Sequence, residues 1–205
     1  MISIKNNRHK STPRSRQIRY GKKLYLLAFL GIALLVAGAY VAYILFSPTI
    51  QKKSPEEIKA IAQEPVKQDK DAIFIPAVGV QAEIAQGDSS ILDKGLAWNR
   101  LPKQGSPVSG GNMIITGHSF VWGLDPKHVK QNSIFYDLKN TKVGDEVLIN
   151  WQGKQYKYAV QEVKQVKPNA VEIEYQSSKP RLTIYTCTPG GSADGRVVVV
   201  AVPSS

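Results

Sequence analysis

The single cysteine of the chain, Cys187, has the strongest capacity for covalent chemistry in this sequence. A lone cysteine cannot form an intramolecular disulfide, so its thiol serves catalysis, an intermolecular bridge, or burial as a small apolar group. Cys187 follows the predicted strand RLTIYT and precedes the flexible stretch TPGGSADG. Strand ends that lead into loops commonly hold catalytic side chains, whereas a structural cysteine more naturally falls in the middle of a strand. The position therefore favours a nucleophilic thiol.

A nucleophilic thiol needs a neighbouring group that exchanges its proton near neutral pH, and imidazole is well suited to this. His118 follows the predicted strand NMIITG and so repeats the strand-to-loop layout of the cysteine. His128 lies in the polar stretch LDPKHVKQN without such a position, and His9 precedes a long apolar run. The sequence favours His118 as the proton-transfer group, although without the cysteine it would be interpreted as an ordinary strand-terminal histidine.

Arg196 begins the last predicted strand, RVVVVAV, immediately beyond the loop that starts at the cysteine. A guanidinium group there could stabilise the oxyanion of a tetrahedral acyl-transfer intermediate or hold a substrate carbonyl. The alternative is a solvated arginine at a strand end. One cysteine and so few histidines cannot build a Cys-rich zinc site, and the sequence has no Walker loop and no dinucleotide-binding glycine pattern. Neither a metal nor another cofactor is predicted.

The elements that must position these residues are short strands. From Ala72 onward, apolar and β-branched runs such as AIFIP, NMIITG and EVLINW alternate with turn residues, and helical periodicity is weak. The succession VLINW, QGK, QYKYAV predicts a hairpin with its turn near Gly153. About seven or eight such strands indicate an all-β domain, either a closed barrel or a sandwich.

A different kind of segment precedes this domain. Residues Leu24 to Phe46 carry no charged side chain, and as a helix they would extend about 34 Å, enough to cross a bilayer core. The alternatives are a buried core helix and a signal peptide cleaved at small residues near 37–42. A retained transmembrane signal-anchor is favoured because the apolar run is long for a signal peptide.

The positive charge of the chain is concentrated before this segment. Eight of the 27 Lys and Arg residues precede Leu24 and no Asp or Glu does, which leaves 19 basic against 16 acidic residues elsewhere. Nucleic-acid binding is therefore not predicted for the body of the protein. The positive-inside rule places the N-terminus in the cytoplasm and everything after Phe46 outside, as in a single-pass cell-membrane protein.

The predicted domain organisation follows from these segments. It comprises a basic cytoplasmic tail (1–23), a transmembrane helix (24–46), a linker (47–70) and a catalytic domain (71–205). The linker is rich in Lys, Glu, Gln and Pro and is expected to form at most a short helix around Glu56 to Gln63.

Around the candidate residues the sequence resembles the sortase family of membrane-anchored cysteine transpeptidases. TIYTC (183–187) is similar to the TLxTC signature of that family and is followed by an arginine nine positions on, while NMIITGHS (112–119) resembles its histidine segment. IFIPAVGVQAEI (73–84) is similar to its first two strands, and SIFYDLKNTKVGDEVLI (133–149) resembles its middle region. The resemblance extends over residues 73–202.

The resemblance implies an eight-stranded sortase-type β-barrel that recognises an LPxTG-like sorting signal near the C-terminus of secreted proteins. Cys187 would attack the Thr–Gly carbonyl and form a thioacyl enzyme, His118 would exchange protons with the leaving and incoming amines, and Arg196 would hold the substrate and the oxyanion. Thr186, within the signature, would contact the substrate. An amine of a cell-wall precursor or of a pilin lysine would complete the transfer.

Two absences refine this expectation. Residues 95–117 contain no Asp or Glu, so a calcium site of the kind that some class A sortases build before the histidine is not expected. No acidic-aromatic lid segment precedes Ile73, which favours protein anchoring over pilus assembly. Specificity is expected to depend on loops at 86–111 and 168–180, and the insertion at 120–132 is either a cleft wall or a surface excursion.

Three alternative functions remain compatible with an extracytoplasmic cysteine. The chain could be a non-catalytic, membrane-tethered binding module with the same barrel, or a cysteine peptidase of the same fold that uses water as the acceptor. The third alternative is an L,D-transpeptidase, but that family places a histidine and an SxGC element close before its cysteine. Residues 170–186 contain neither.

Overall fold

The computed structural model describes residues 17–50, 52–64 and 70–204. The chain divides into two compact units, one ending at Ala42 and the other beginning at Tyr43. Residues 1–16 of the predicted basic tail and residues 65–69 of the predicted linker lie outside the described ranges.

Helix α1 spans Gln17–Phe46. Its segment Gly21–Phe46 has a mean hydropathy of 2.3 and is long and apolar enough, by length and composition, to cross a membrane. Large apolar side chains such as Leu24, Phe29 and Leu35 are exposed to more than two thirds of their full extent. A helix satisfies its own backbone hydrogen bonds, so such a surface suits lipid. The predicted apolar helix at 24–46 is therefore present.

The second unit is built on strands. Within the described residues these are β1 Ala72–Ile75, β2 Val80–Ala85, β3 Ala97–Asn99, β4 Gly105–Ser106, β5 Gly110–Thr116, β6 Glu146–Trp151, β7 Lys154–Val166, β8 Arg181–Thr188 and β9 Gly191–Pro203. Eight of them form a sheet in the order β3-β2-β1-β6-β7-β9-β8-β5, and pairing of β3 with β5 closes it. The two-residue strand β4 pairs with β5 outside this ring. The predicted eight-stranded closed barrel is confirmed.

Side chains along β8 point alternately to the inside and the outside of the barrel, and those on both faces are buried. Leu182 and Ile184 point into the main core. Tyr185, between Ile184 and Thr186, points outward and packs with Ile114 and Val198. Such alternation is the period-2 pattern of a strand, and each fully buried side chain of this size contributes roughly 1.5–3 kcal/mol. The outer face of β5, β8 and β9 is therefore covered around Tyr185.

The predicted hairpin between β6 and β7 is confirmed. Trp151 pairs with Lys154, which leaves a two-residue turn. Gln152 and Gly153 both have positive φ angles, 49° and 78°. Positive φ at both central positions is typical of the type I′ turn, whose twist matches that of the flanking strands.

Helix α2 spans Pro55–Ala62, within the segment predicted as a linker. Ser54 and Glu57 form a reciprocal capping box at its start. Ile58 and Ala62 are buried against Phe74 of β1 and Leu148 of β6. Part of the predicted spacer is therefore packed onto the barrel.

Short helical segments connect several strands near one edge of the barrel. Helix α3, Pro126–Asn132, lies in the insertion after β5 and is capped by Asp125, whose carboxylate accepts a hydrogen bond from the Lys127 amide. A 3-10 helix, Ser89–Lys94, joins β2 to β3, and another, Val171–Glu174, lies between β7 and β8. These segments surround the strand ends on which the candidate residues lie.

Candidate active site

Parallel pairing of β5 with β8 brings the histidine and the cysteine to the same edge of the barrel. The last paired residues are Thr116 and Tyr185. His118 lies two residues beyond Thr116, and Cys187 lies two residues beyond Tyr185. Because parallel strands run in the same direction, their carboxyl ends emerge side by side. The barrel topology therefore makes His118 and Cys187 neighbours.

The hairpin of β8 and β9 brings the arginine to the other side of the cysteine. Cys187 and Arg196 are direct partners in the antiparallel register. Side chains opposite each other in such a pair have Cβ atoms about 4.5–5.5 Å apart. Cys187 thus has Arg196 opposite it on β9 and His118 just beyond the end of β5 on its other side. These three residues are here called the His–Cys–Arg row.

The His–Cys–Arg row is accessible from the outer face of the sheet. Cys187 lies two residues after Tyr185 and so shares its outward direction. Cys187, His118 and Arg196 are each half-buried. Partial exposure allows a substrate to reach the thiol while the sheet fixes the backbone beneath it.

Thr186 lies on the opposite face and joins the strand ends that carry the row. Its side chain is 2% exposed, and its hydroxyl donates a hydrogen bond of 2.7 Å to the carbonyl oxygen of Gly117. The carbonyl oxygen of His118 accepts a hydrogen bond of 3.0 Å from the Phe135 amide. These bonds fix the backbone around the histidine. We propose for Thr186 a role in holding the row, and the substrate contact expected from the sequence stays a prediction.

Replacing Thr186 by valine is expected to lower both stability and turnover. The isosteric change removes the donor and leaves the buried carbonyl of Gly117 without its partner, a loss that costs about 1–3 kcal/mol. Thermal unfolding would show a lower Tm, and peptide cleavage a lower kcat, because the residue before His118 is released. Thr186→Ser keeps the hydroxyl and is expected to retain most of both. Equal losses in the two variants would contradict this role.

Arg196 is held by the connection between β8 and β9. Its Nη1 donates hydrogen bonds of 2.8 Å to the carbonyl of Ser192 and 2.9 Å to that of Gly195. Within the same connection, the Thr188 hydroxyl donates to the carboxylate of Asp194. A guanidinium fixed in this way is orientated before a substrate arrives, which reduces the entropy lost on binding.

Asp93 was not identified from the sequence, yet it lies beside the row. Its Oδ1 is 3.7 Å from Nε2 of His118. Asp93 belongs to the 3-10 helix Ser89–Lys94, and no local pattern links that segment to a histidine 25 positions later. Only the closed barrel brings the two together.

A polar network lies along the outer face next to the row. Arg100 Nε is 3.0 Å from Oε1 of Glu174, and Arg100 Nη1 donates a hydrogen bond of 3.2 Å to the hydroxyl of Tyr185. That hydroxyl donates in turn to Glu174. Burial raises the pKa of Tyr185, and its hydrogen bond to Glu174 raises it further. The network joins the segment after β3 to the segment before β8, with Tyr185 between them.

His128, the histidine that the sequence disfavoured, lies on α3 outside the row. Its Nδ1 is 3.2 Å from the side-chain nitrogen Nδ2 of Asn132. The insertion that carries it begins at Phe120, two residues after His118, and the Phe120 ring centroid is 6.5 Å from that of Trp122. Within the described ranges, no three His, Cys, Asp or Glu side chains are grouped as metal ligands would be.

Comparisons with known proteins agree with this architecture. A family profile described as "Sortase domain" matches residues 73–204. Sortase A of Bacillus anthracis is 26% identical over 133 residues, which cover 65% of this chain and 59% of that protein. A putative sortase of Bacillus subtilis, YwpE, is 29% identical over 90 residues, or 43% of this chain and 79% of that protein.

A solved structure shows the same fold. Sortase A of Listeria monocytogenes superposes with a TM-score of 0.56 at 22% identity, covering 66% of this chain and 86% of that chain. The profile match includes the strands that carry His118, Cys187 and Arg196. The chain belongs to the sortase family.

Proposed function

We propose that the protein is a cysteine transpeptidase that cleaves a sorting signal in secreted proteins and transfers them to an amine. The observation that supports this most directly is the His–Cys–Arg row. In this row the Cys187 thiol lies on β8 opposite the Arg196 guanidinium of β9, and the His118 imidazole follows the end of the neighbouring strand β5. These are the groups that acyl transfer requires: a nucleophile, a proton carrier and a cation for the oxyanion.

In the first half of the proposed reaction, the thiolate of Cys187 attacks the carbonyl carbon of the scissile peptide bond. Arg196 stabilises the negative charge that develops on the carbonyl oxygen. As the C–N bond breaks, protonated His118 donates a proton to the leaving amine. The products are a thioacyl enzyme and a free amine, and His118 is left neutral.

In the second half, an incoming amine attacks the thioester carbonyl. Neutral His118 accepts a proton from this amine, a new amide bond forms, and the Cys187 thiolate leaves. The enzyme returns to its starting state. Water in place of the amine would give hydrolysis, the reaction of a cysteine peptidase of the same fold.

The outer face beside the row offers a place for the peptide that precedes the scissile bond. A cavity of about 300 Å³ lies there. Its lining is half apolar (Val166, Ile173, Val198, Val200) and half charged or polar (Lys164, Glu172, Arg181, Thr183). Val166 is the register partner of Arg196 on β7, so the cavity begins next to the row. An extended peptide advances about 3.4 Å per residue. An apolar residue of an LPxTG-like signal could therefore reach this cavity while its threonine carbonyl lies at Cys187.

We propose that α1 anchors the protein in the cell membrane as a single span. The apolar segment Gly21–Phe46 supports the anchor. The basic cluster before Leu24 favours a cytoplasmic N-terminus and an extracytoplasmic barrel. The partners on that side would be secreted proteins with a sorting signal and a cell-wall precursor that supplies the acceptor amine, with a pilin lysine as the other candidate acceptor.

The test is mass spectrometry of the full-length chain in detergent with a library of LPxTG-type peptides and triglycine as the amine. A peptide joined to triglycine, together with a thioacyl adduct on Cys187, is the expected result. Cleavage without transfer would identify a peptidase. A folded protein with a reactive thiol and no product from any peptide would favour the non-catalytic binding module.

A further inference from the structure

Asp93 is a carboxylate beside the His–Cys–Arg row to which the proposed reaction assigns no role. Its Oδ1 lies 3.7 Å from Nε2 of His118, and the two side chains are 82% and 33% exposed. Across the described ranges of the chain, this is the one ion pair that His118 makes. The contact therefore deserves a chemical explanation.

The position of Asp93 is fixed by the ends of its 3-10 helix. Asp88 caps the first turn, and its carboxylate accepts a hydrogen bond of 2.8 Å from the Ser90 amide. Ile91 is 6% exposed and anchors the helix from within. Gly95 ends it with φ of 70°, where a Cβ atom would approach the carbonyl oxygen of Gln131 to 2.6 Å. The backbone around Asp93 is thus held at both ends, even though the carboxylate itself reaches into solvent.

The backbone of His118 is equally well held, but its ring has a free torsion. Hydrogen bonds fix the carbonyl oxygens of Gly117 and His118, and neither bond constrains rotation of the imidazole. A histidine in a catalytic site must present one chosen nitrogen to the reaction, and a partner on the other nitrogen commonly makes that choice. Asp93 lies at Nε2, which leaves Nδ1 available for proton transfer.

We propose that Asp93 is a positioning residue, whose carboxylate pairs electrostatically with the Nε2–H of His118 across 3.7 Å and so presents Nδ1 to Cys187 and the reacting amines. This inference rests on the proposed transpeptidase function. The proton that moves to the leaving amine departs from Nδ1, and the proton taken from the incoming amine returns to Nδ1. Asp93 stays ionised and neither gains nor loses a proton.

Asp93→Asn in the full-length chain tests this role, with Asp88→Asn as its matched control. Both variants remove one carboxylate from the same 3-10 helix, and asparagine at position 88 can still cap it. Because the ion pair is exposed, we expect a modest effect: kcat of peptide cleavage falls about threefold to fivefold in Asp93→Asn, with KM unchanged. Asp93→Glu is expected to recover part of the loss, and Asp88→Asn to match the wild type.

Two further measurements separate positioning from a merely structural effect. Raising the ionic strength from about 0.05 M to about 1 M should reduce kcat of the wild type more than that of Asp93→Asn, because salt screens exposed pairs. Long-range ¹H–¹⁵N spectra of histidine-labelled protein, recorded at a pH high enough for the imidazole to be neutral, should show His118 with its proton on Nε2 in the wild type and a mixture of tautomers in Asp93→Asn. These spectra need no substrate, so they test the inference even if no peptide reacts.

Three outcomes would overturn the role of Asp93. The first is an Asp93→Asn variant with the kcat of Asp88→Asn. The second is a change in KM alone, which would mean that Asp93 contacts the peptide. The third is an unchanged tautomer in the spectra.

If Asp93→Asn lowers the Tm sharply, the test is instead the kcat of Asp93→Glu and of the wild type, each measured at low and high salt. Both proteins keep a carboxylate at position 93, so the comparison does not depend on the unstable variant. Failure of the wild type to react with any peptide would instead count against the proposed function.

Discussion

Replacing Cys187 by alanine is expected to abolish the thioacyl adduct and to lower peptide cleavage by about 10⁴-fold or more. Removal of a catalytic nucleophile typically has an effect of this size, because the remaining groups cannot form the covalent intermediate. The side chain is small and half-buried, so the barrel should tolerate the change. The measurement is the rate of cleavage with the best peptide of the library, with the adduct followed by mass spectrometry.

Two controls make the Cys187 result interpretable. Cys187→Ser has nearly the same size but a far weaker nucleophile, and we expect it to be about as inactive as the alanine variant. Thermal unfolding should give a Tm within a few degrees of the wild type for both, since a surface-accessible change of this size has little effect on stability. Retained transfer activity in Cys187→Ala would disprove the cysteine mechanism. Retained peptide binding without cleavage is the expected behaviour of the variant.

Replacing His118 by asparagine is expected to lower kcat by about 10²- to 10⁴-fold, the usual contribution of a general acid–base group. Asparagine keeps a polar side chain, and the backbone bond from the Phe135 amide to the carbonyl of residue 118 is preserved. Release of the leaving amine should slow most, because that step takes a proton from the imidazole. Rapid mixing with a chromogenic leaving amine would measure it.

His128→Asn is the matched control for His118, since it makes the same chemical change on α3. His128 contacts Asn132 and lies outside the row, so we expect its loss to change kcat less than about twofold. An equal fall in kcat in the two variants would mean that both histidines affect the rate only by stabilising the fold. A fully active His118→Asn would remove the proton carrier from the mechanism.

The sequence predicted the parts of this protein that depend on local pattern. Alternating runs such as those of β6 and β7 predicted an all-β barrel or sandwich, and the family resemblance narrowed this to the eight-stranded closed barrel. The turn between β6 and β7 is encoded by Gln152 and Gly153. The apolar helix follows from composition alone. The family followed from short signatures around His118 and Cys187, both at strand ends. In each case the signal lies within a few neighbouring residues.

The sequence did not predict the features that depend on contacts between distant segments. Asp93 approaches His118 only because β2, β3 and β5 pair in the closed barrel. Ile58 in the predicted linker is buried because it packs against Phe74 and Leu148 of the barrel. The composition of the linker gave no sign of this contact. Helix α3 is too short for helical periodicity, although Asp125 followed by Pro126 is a typical helix start.

The parallel pairing of β5 with β8 determines when His118 can reach Cys187 during folding. Cys187 and Arg196 meet across a tight hairpin, whereas Thr186 and Gly117, which tie the histidine to it, are 69 positions apart. Closing the longer loop costs about 2 kcal/mol more chain entropy, and contacts of large sequence separation tend to form late. We therefore expect Cys187 to meet Arg196 early in folding and His118 late. A chain that emerges unfolded from a membrane would thus keep its single cysteine unactivated until the barrel has closed, which limits side reactions before the protein is complete.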